Sequence, residues 1–280
     1  MIGEYDATAE EERSLHAVIS HDSSANLQLQ QRFSSAEKPI IDFDQKEISS
    51  SSSINSKQKE TLNEQEQIDL EFRELKKLVK YPYLPPLAEM QRWPQRAQTV
   101  EQVYTLVLDL DETLIHFEVE EDQASEEPGY YLIRPGALRF LNELSEYFEI
   151  VVFTAAMPDY ADWILDNIDR KNSITHRLYR QHTTPHEDYA IKDLNCLGRD
   201  LSKTIIIDNL AENFRFTTPE NGIWVESWFD DMEDKVLTLL NPLLKQIQER
   251  LLDVRIVLSE KNKEEVLYRC LEEGVSIDIE

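Results

Sequence analysis

Asp109 and Asp111 stand with only Leu110 between them, directly after the apolar run Val103-Tyr-Thr-Leu-Val-Leu108. Such a run is expected of a strand buried on both faces of a parallel sheet. Side chains two apart on a strand point the same way, so the two carboxylates should lie side by side where the strand runs out. Paired carboxylates repel, and they are tolerated when a cation lies between them or one keeps a proton. Hard oxygen ligands of this kind suit magnesium. Taken alone, Asp-x-Asp is equally consistent with a strand followed by an acidic turn. The company it keeps is more telling. Thr154 follows the apolar run Glu149-Ile-Val-Val-Phe153, and Asp208 with Asn209 follows Thr204-Ile-Ile-Ile207. Three strand ends therefore deliver small oxygen-bearing side chains to one rim, and the carboxyl-end rim is where open α/β sheets bind ligands.

The elements that must position these residues alternate between strand and helix, which predicts an α/β fold: a parallel sheet with helices on both faces. Pro135 and Gly136 open a helix with Leu138, Leu141, Leu144 and Phe148 on one side; Ala161, Ile164, Leu165 and Ile168 mark the next. Tyr130 to Ile133 reads as a short strand and Ile223-Trp-Val225 as a fourth core strand. Asp230 to about Arg250 is expected to be helical, with Pro242 as a kink. A final amphipathic helix is expected from Glu260 to Leu271. Upstream, Ile68, Phe72, Leu75 and Val79 recur at helical spacing until Tyr81-Pro-Tyr-Leu-Pro-Pro86 stops the helix. The expected division is a disordered tail over 1–60, polar and holding the run Ser49 to Ser53, a helical lead-in over 61–97, a main domain over 98–250 and a helical appendage over 251–280.

Composition narrows the function. The chain has 280 residues and a formal net charge of -26. Nucleic acid and anionic membrane surfaces are both bound through neutralising Lys and Arg, so neither is an expected partner. No apolar run approaches the ~18 residues of a spanning helix. The acidic N-terminus is expected to be neither a signal nor a transit peptide, and Cys196 and Cys270 are too few for a disulfide scaffold. An intracellular setting is expected, in nucleus or cytoplasm, with the chain a monomer. A zinc site built on His182, His186 and Cys196 lacks a fourth ligand. Cysteine-based phosphatase chemistry needs an arginine six residues after the cysteine, where this chain has Ser202 and Ser276. No glycine fingerprint for a dinucleotide follows the first strand.

If a phosphate monoester sits at the rim, Asp109 can attack phosphorus and form an aspartyl-phosphate. Asp111 can protonate the leaving oxygen and then activate water, which asks for a pKa above that of an ordinary aspartate. Magnesium would bridge Asp109, the main-chain carbonyl of Asp111, Asn209 and a phosphate oxygen, with Asp208 holding a water or lying one shell out. Thr154 offers a hydroxyl to the phosphate. One cation should reach the site, and Lys192 in Tyr189-Ala-Ile-Lys-Asp-Leu194 is the candidate.

Asp109-Leu-Asp-Glu-Thr-Leu114, Val152-Phe-Thr-Ala155, Ile191-Lys-Asp-Leu194, Leu197-Gly-Arg-Asp-Leu201 and Ile207-Asp-Asn209 together resemble the haloacid dehalogenase superfamily. More narrowly the sequence is similar to the small phosphatases of the RNA polymerase II C-terminal domain, the NLI-interacting-factor-like phosphatases. Lys203 to Asn209 and Glu226-Ser-Trp-Phe-Asp230 add to the resemblance, which covers about residues 101 to 250. It implies a haloacid-dehalogenase-like, Rossmann-like parallel sheet and a magnesium-dependent protein serine/threonine phosphatase. Asp109 would be the nucleophile and Asp111 the acid/base, with Thr154 and Lys192 on the phosphate. Metal would bind through Asp109, Asp111 and Asn209. The resemblance also implies Arg180 and Tyr160 as substrate-side residues, and the polymerase tail or other phosphoproteins as substrate.

Two features depart from the family pattern. The stretch between the first motif and Arg134-Pro-Gly136 is short, and Glu118 to Glu127 carries six acidic residues. Leu210-Ala211 stands where a Ser-Pro is common. An acidic lip should favour basic phosphopeptides over acidic ones. The competing reading is a non-catalytic binding or scaffold relative, which predicts a membrane helix and a damaged Asp-x-Asp. A small-metabolite phosphatase would need a large cap domain, and the residues between Ile115 and Ile150 leave too little chain for one.

Overall fold

Residues 64–91, 93–118, 130–186 and 189–259 are described by the computed structural model of the chain. The tail over 1–60, the acidic stretch from residue 119 onward and the expected helix from Glu260 lie outside the described residues.

The centre is a five-stranded sheet in the order β5-β4-β1-β8-β9, formed by β1 (Tyr104–Leu108), β4 (Phe148–Phe153), β5 (His176–Leu178), β8 (Thr204–Asp208) and β9 (Gly222–Trp224). Every pairing is parallel. β1, β4 and β8 are buried along their whole length, as their unbroken apolar runs require. Register sets the rim: Leu108 faces Val152 on one side and Ile207 on the other. The next residues outward, Asp109, Phe153 and Asp208, therefore lie at one level.

Alternation along these strands splits the core in two. Leu106, Leu108, Ile150, Val152, Ile205 and Ile207 face one side. There they pack on α2 (Ala137–Leu144), α3 (Pro158–Ile168), α5 (Val236–Glu249) and α6 (Val254–Val257). Val107, Val151, Phe153 and Ile206 face the other side, where the cover is Leu84, the short turn of Leu194 and Leu197, and Phe214 of α4 (Glu212–Arg215). The sheet thus has helices on both faces, but only one face takes long ones.

Several element boundaries differ from the sequence expectation. β1 stops at Leu108, so Asp109 to Leu114 form a turn beyond the strand. Phe148 opens β4 instead of closing the preceding helix. The expected helix from Asp230 begins at Val236, because Asp231 and Asp234 bond backbone amides and hold a turn before it. Pro242 lies inside that helix. The lead-in helix, α1, runs Glu64–Leu78. Residues expected to begin an appendage reach the main core: Val254, Val257 and Leu258 are buried there, and Tyr104 donates its hydroxyl to the Leu252 carbonyl at 2.9 Å. β3 (Tyr130–Ile133) matches the short strand expected there, but alternation and periodicity had not indicated β5, β2 (Ile115–Glu118), which pairs antiparallel with β3, or the antiparallel pair β6 (Thr184–His186) with β7 (Tyr189–Ile191). These strands are three or four residues long, too short for a pattern to stand out. No helix among the described residues is long and apolar enough to cross a membrane.

One charge in the sheet is paired away from the rim. Glu149 is fully buried in β4 and takes both prongs of the Arg199 guanidinium, at 2.7 and 2.6 Å, with the Thr105 hydroxyl at 2.8 Å. Burial would raise its carboxyl, but these donors hold it well down, at about 2 against an ordinary 4.5. A carboxylate depressed on folding stabilises the fold above its unfolded value and loses that contribution as pH falls toward its folded one. Urea unfolding should therefore show up to about 3 kcal/mol of stability lost between pH 4.5 and 2 through this group. Glu149→Gln should flatten that slope while lowering stability at pH 7; an unchanged slope in the variant would exclude Glu149 as its source.

Candidate active site

The turn after β1 closes on itself. The Leu114 and Ile115 amides return to the Leu110 carbonyl, and the Glu112 amide bonds the Ile115 carbonyl at 2.7 Å. Glu112 sits at φ 54, in the left-handed region. Its carbonyl is held by the Trp228 amide at 2.9 Å. Arg134, buried between layers, donates to the Thr113 carbonyl at 3.3 Å and grips the Asp234 carboxylate with two bonds at 3.0 and 2.9 Å. The turn is thus tied to the segments on either side of it.

On that turn Asp109 and Asp111 take separate partners. Lys192, fully buried, places its ammonium 2.6 Å from Asp109 Oδ1 and 2.6 Å from Asp208 Oδ2. Asp111 receives the Tyr160 hydroxyl at 2.6 Å on Oδ1 and the Thr154 hydroxyl at 3.4 Å on Oδ2. Thr154 also accepts the Ala156 amide at 3.0 Å. Arg180 bonds the Ala155 carbonyl through Nε at 2.5 Å and feels the charge of Asp111. Asn209 turns its amide nitrogen to Ser227 Oγ at 3.0 Å, which leaves its Oδ1 facing the Thr113 hydroxyl at 3.5 Å, beside Asp109 Oδ2 at 3.4 Å from the same hydroxyl.

All eight residues singled out by the sequence meet here: Asp109, Asp111, Thr154, Tyr160, Arg180, Lys192, Asp208 and Asn209. Their parts differ in detail. Tyr160 is committed to Asp111. Asp208 has both oxygens engaged, by Lys192, the Leu210 amide and Asn213 Nδ2, so it sits behind the rim instead of presenting a free ligand. Thr113, Asn213, Ser227 and Trp224 also build the site and were not anticipated. Thr113 and Ser227 lie within motifs already noted, but Asn213, whose carbonyl takes the Lys192 amide at 2.7 Å, and Trp224, whose indole N–H donates to the Asn209 carbonyl at 2.8 Å, each act on or through main chain and stand in no motif that marked them.

The electrostatics follow from burial. Burial raises Asp109 above the usual carboxylate range; Lys192 pulls against this, and Asp208 and Asp111 add to it. Burial would lower Lys192, but Asp109 and Asp208 outweigh it and keep the ammonium charged above its ordinary value. Burial also raises Asp111, against the Tyr160, Lys192 and Thr154 contacts. Three carboxylates thus face two cations, which leaves the rim short of positive charge. Among the described residues no group of three His, Cys, Asp or Glu side chains is arranged to hold a metal. The available set is of another kind: Asp109 Oδ2 and Asn209 Oδ1 converge on one hydroxyl at lengths too long for strong bonds. Two hard, under-used oxygens beside an excess of negative charge fit a magnesium ion.

An α/β sheet whose carboxyl-end rim gathers two differently partnered aspartates, a buried ammonium and an amide oxygen defines a protein equipped to handle an anionic group in line with a carboxylate. Residues 104–255 match the NLI interacting factor-like phosphatase family, more than half of the chain, and the chain belongs to that family. It is 43% identical over 167 residues to a "Probable C-terminal domain small phosphatase" of Dictyostelium discoideum, covering 56% of this chain and 54% of that protein. It is 40% identical over 200 residues to "CTD small phosphatase-like protein 3" of Caenorhabditis elegans, covering 66% of this chain and 69% of the relative. The chain thus spans between about half and two thirds of these relatives' lengths. The solved structure of Fcp1, an RNA polymerase II CTD phosphatase, is 22% identical with a TM-score of 0.38, over 64% of this chain and 56% of that one.

The Lys192 bridge gives a direct stability test. Removing one partner of a buried charge pair leaves the other uncompensated, at about 3–5 kcal/mol. Lys192→Met should lower the unfolding free energy by that order, and adding Asp208→Asn should recover part of it. Strict additivity of the two changes in urea titrations would argue against the bridge.

Proposed function

We propose that this chain is a magnesium-dependent protein phosphatase acting on phosphoserine or phosphothreonine through an aspartyl-phosphate on Asp109. The observation that carries the reading is the unequal partnering of the two aspartates. Burial raises Asp109 too, but the Lys192 ammonium bonded to it pulls toward the charged, nucleophilic form. Asp111 is buried without an ammonium bonded to it, and burial raises it against the pull of the Tyr160 and Thr154 hydroxyls, which favours a carboxyl that still carries a proton.

In the first step a carboxylate oxygen of Asp109 bonds to phosphorus as the bond from phosphorus to the substrate oxygen breaks. Asp111 gives its proton to that leaving oxygen. In the second step Asp111, now ionised, takes a proton from water. The water oxygen attacks phosphorus and the aspartyl bond breaks, so inorganic phosphate leaves and Asp109 is restored. Lys192, Arg180 and the Thr154 hydroxyl are placed to hold the phosphate oxygens, and Tyr160 orients Asp111. A magnesium ion held by Asp109, the Asp111 carbonyl and Asn209 would neutralise charge on the transferring group, the main demand of phosphoryl transfer. The scaffold reading needs a damaged pair, whereas both carboxylates and their partners stand together. The names of the relatives add the RNA polymerase II C-terminal domain as one substrate to try.

Turnover of an aryl phosphate should require magnesium and vanish on chelation. Asp109→Asn should lose about a thousandfold or more, as when a covalent nucleophile is removed. Equal turnover by Asp109→Asn and the unmodified chain would overturn the nucleophile assignment.

A further inference from the structure

The face of the sheet that lacks long helices is closed in part by residues upstream of the family match. Leu84 is buried there among Val107, Val151, Phe153 and Leu197. The backbone beside it runs along the turn that follows Lys192: the Tyr83 amide bonds the Cys196 carbonyl at 2.8 Å and the Leu84 amide bonds the Leu197 carbonyl at 3.3 Å. That turn is short. Asp193, next to Lys192, caps it by accepting the Asn195 amide at 3.0 Å, and it ends at Gly198 with φ 74. Pro82 lies so close that a Cβ on Gly198 would stand 2.6 Å from the proline Cβ. The lead-in therefore rests directly on the turn that carries the ammonium.

The same segment touches the turn that carries Arg180. α1 packs on Arg180–His182, and Lys76 donates to the Thr183 carbonyl at 2.6 Å. Tyr83 places its ring edge-on to His182, with centroids 5.2 Å apart, and to Phe153 at 6.5 Å. Phe153 immediately precedes Thr154. None of Lys76, Pro82, Tyr83 or Leu84 lies within residues 104–255, yet together they contact the segments that deliver both cations of the rim. Neither turn is long enough to be rigid by itself: a three- or four-residue helical turn is held by what packs against it.

We propose that the lead-in from Lys76 to Leu84 is a positioning element of the site, seating the two turns that present Arg180 and Lys192. The seating does not depend on which reaction the site performs; its kinetic consequence rests on the phosphatase reading. Tyr83 is the positioning residue that touches both turns, through its amide at Cys196 and its ring at His182. Its ring seats the Arg180 turn through His182, while its hydroxyl meets the exposed Tyr81 hydroxyl at 3.2 Å and the Cys196 thiol of the other turn.

The test compares the full chain with Tyr83→Ala, Tyr83→Phe and Val254→Ala, the last a cavity in the core on the opposite face of the sheet. Amide hydrogen exchange is read at 179–183 and 194–198 under conditions where every variant is folded by thermal melt. Tyr83→Ala should exchange about tenfold faster in both stretches, whereas Tyr83→Phe, which keeps the ring on His182, should match the unmodified chain at 179–183, and Val254→Ala should match it in both. With an aryl phosphate, Tyr83→Ala should raise KM about tenfold with a smaller change in kcat, as expected when groups that grip the phosphate are misplaced. Unchanged exchange in Tyr83→Ala, or equal loosening in Val254→Ala, overturns the proposal. If the unmodified chain hydrolyses nothing, the phosphatase reading fails and the exchange measurement still decides the positioning.

Discussion

A buried ammonium between two buried carboxylates governs this rim. Lys192 has no exposure, and Asp109 follows β1 while Asp208 ends β8, two strands that pair in the sheet. Each charge would be costly alone in that setting. Together they fix where the ends of β1 and β8 sit relative to the segment after β7. Asn213 completes the arrangement from both ends, bonding Asp208 with its side chain and Lys192 with its carbonyl. The site is therefore a tertiary structure in its own right, not a set of side chains placed on a finished scaffold.

The sheet beneath it works by the same economy. Because β1, β4 and β8 are apolar on both sides, each residue commits to one of two cores, and the rim inherits its level from their shared register. One core is closed by helices that fold from contiguous sequence. The other is closed by Leu84, Leu194, Leu197 and Phe214, which come from three distant stretches. The rim's cations arise from the second side, so the more loosely assembled cover lies under the more exacting part of the site.

Much of this was legible in the sequence because the signals were local. Unbroken apolar runs gave β1, β4 and β8, and the polar residue after each run gave the rim. Legibility ended where information was carried by main chain or by short segments. Strand alternation placed Asp111 on the strand, whereas a turn brings it to the rim. Asp208 was readable as an acid at the right end of a strand, but not that its oxygens were already taken. Asn213 holds Lys192 through its carbonyl and Trp224 holds the main-chain carbonyl of Asn209, and neither residue stands in a motif that marked it. β5, β6 and β7 are too brief for any periodicity, and the contact of Tyr83 with the segment after Lys192 joins residues over a hundred positions apart.

Glu112 has a consequence of its own. A non-glycine residue at φ 54 is unfavourable by about 1–2 kcal/mol relative to ordinary backbone. The bonds to Ile115 and Trp228 hold it there. The bend just after Asp111 is thus installed once, at folding, by main-chain bonds of the protein itself.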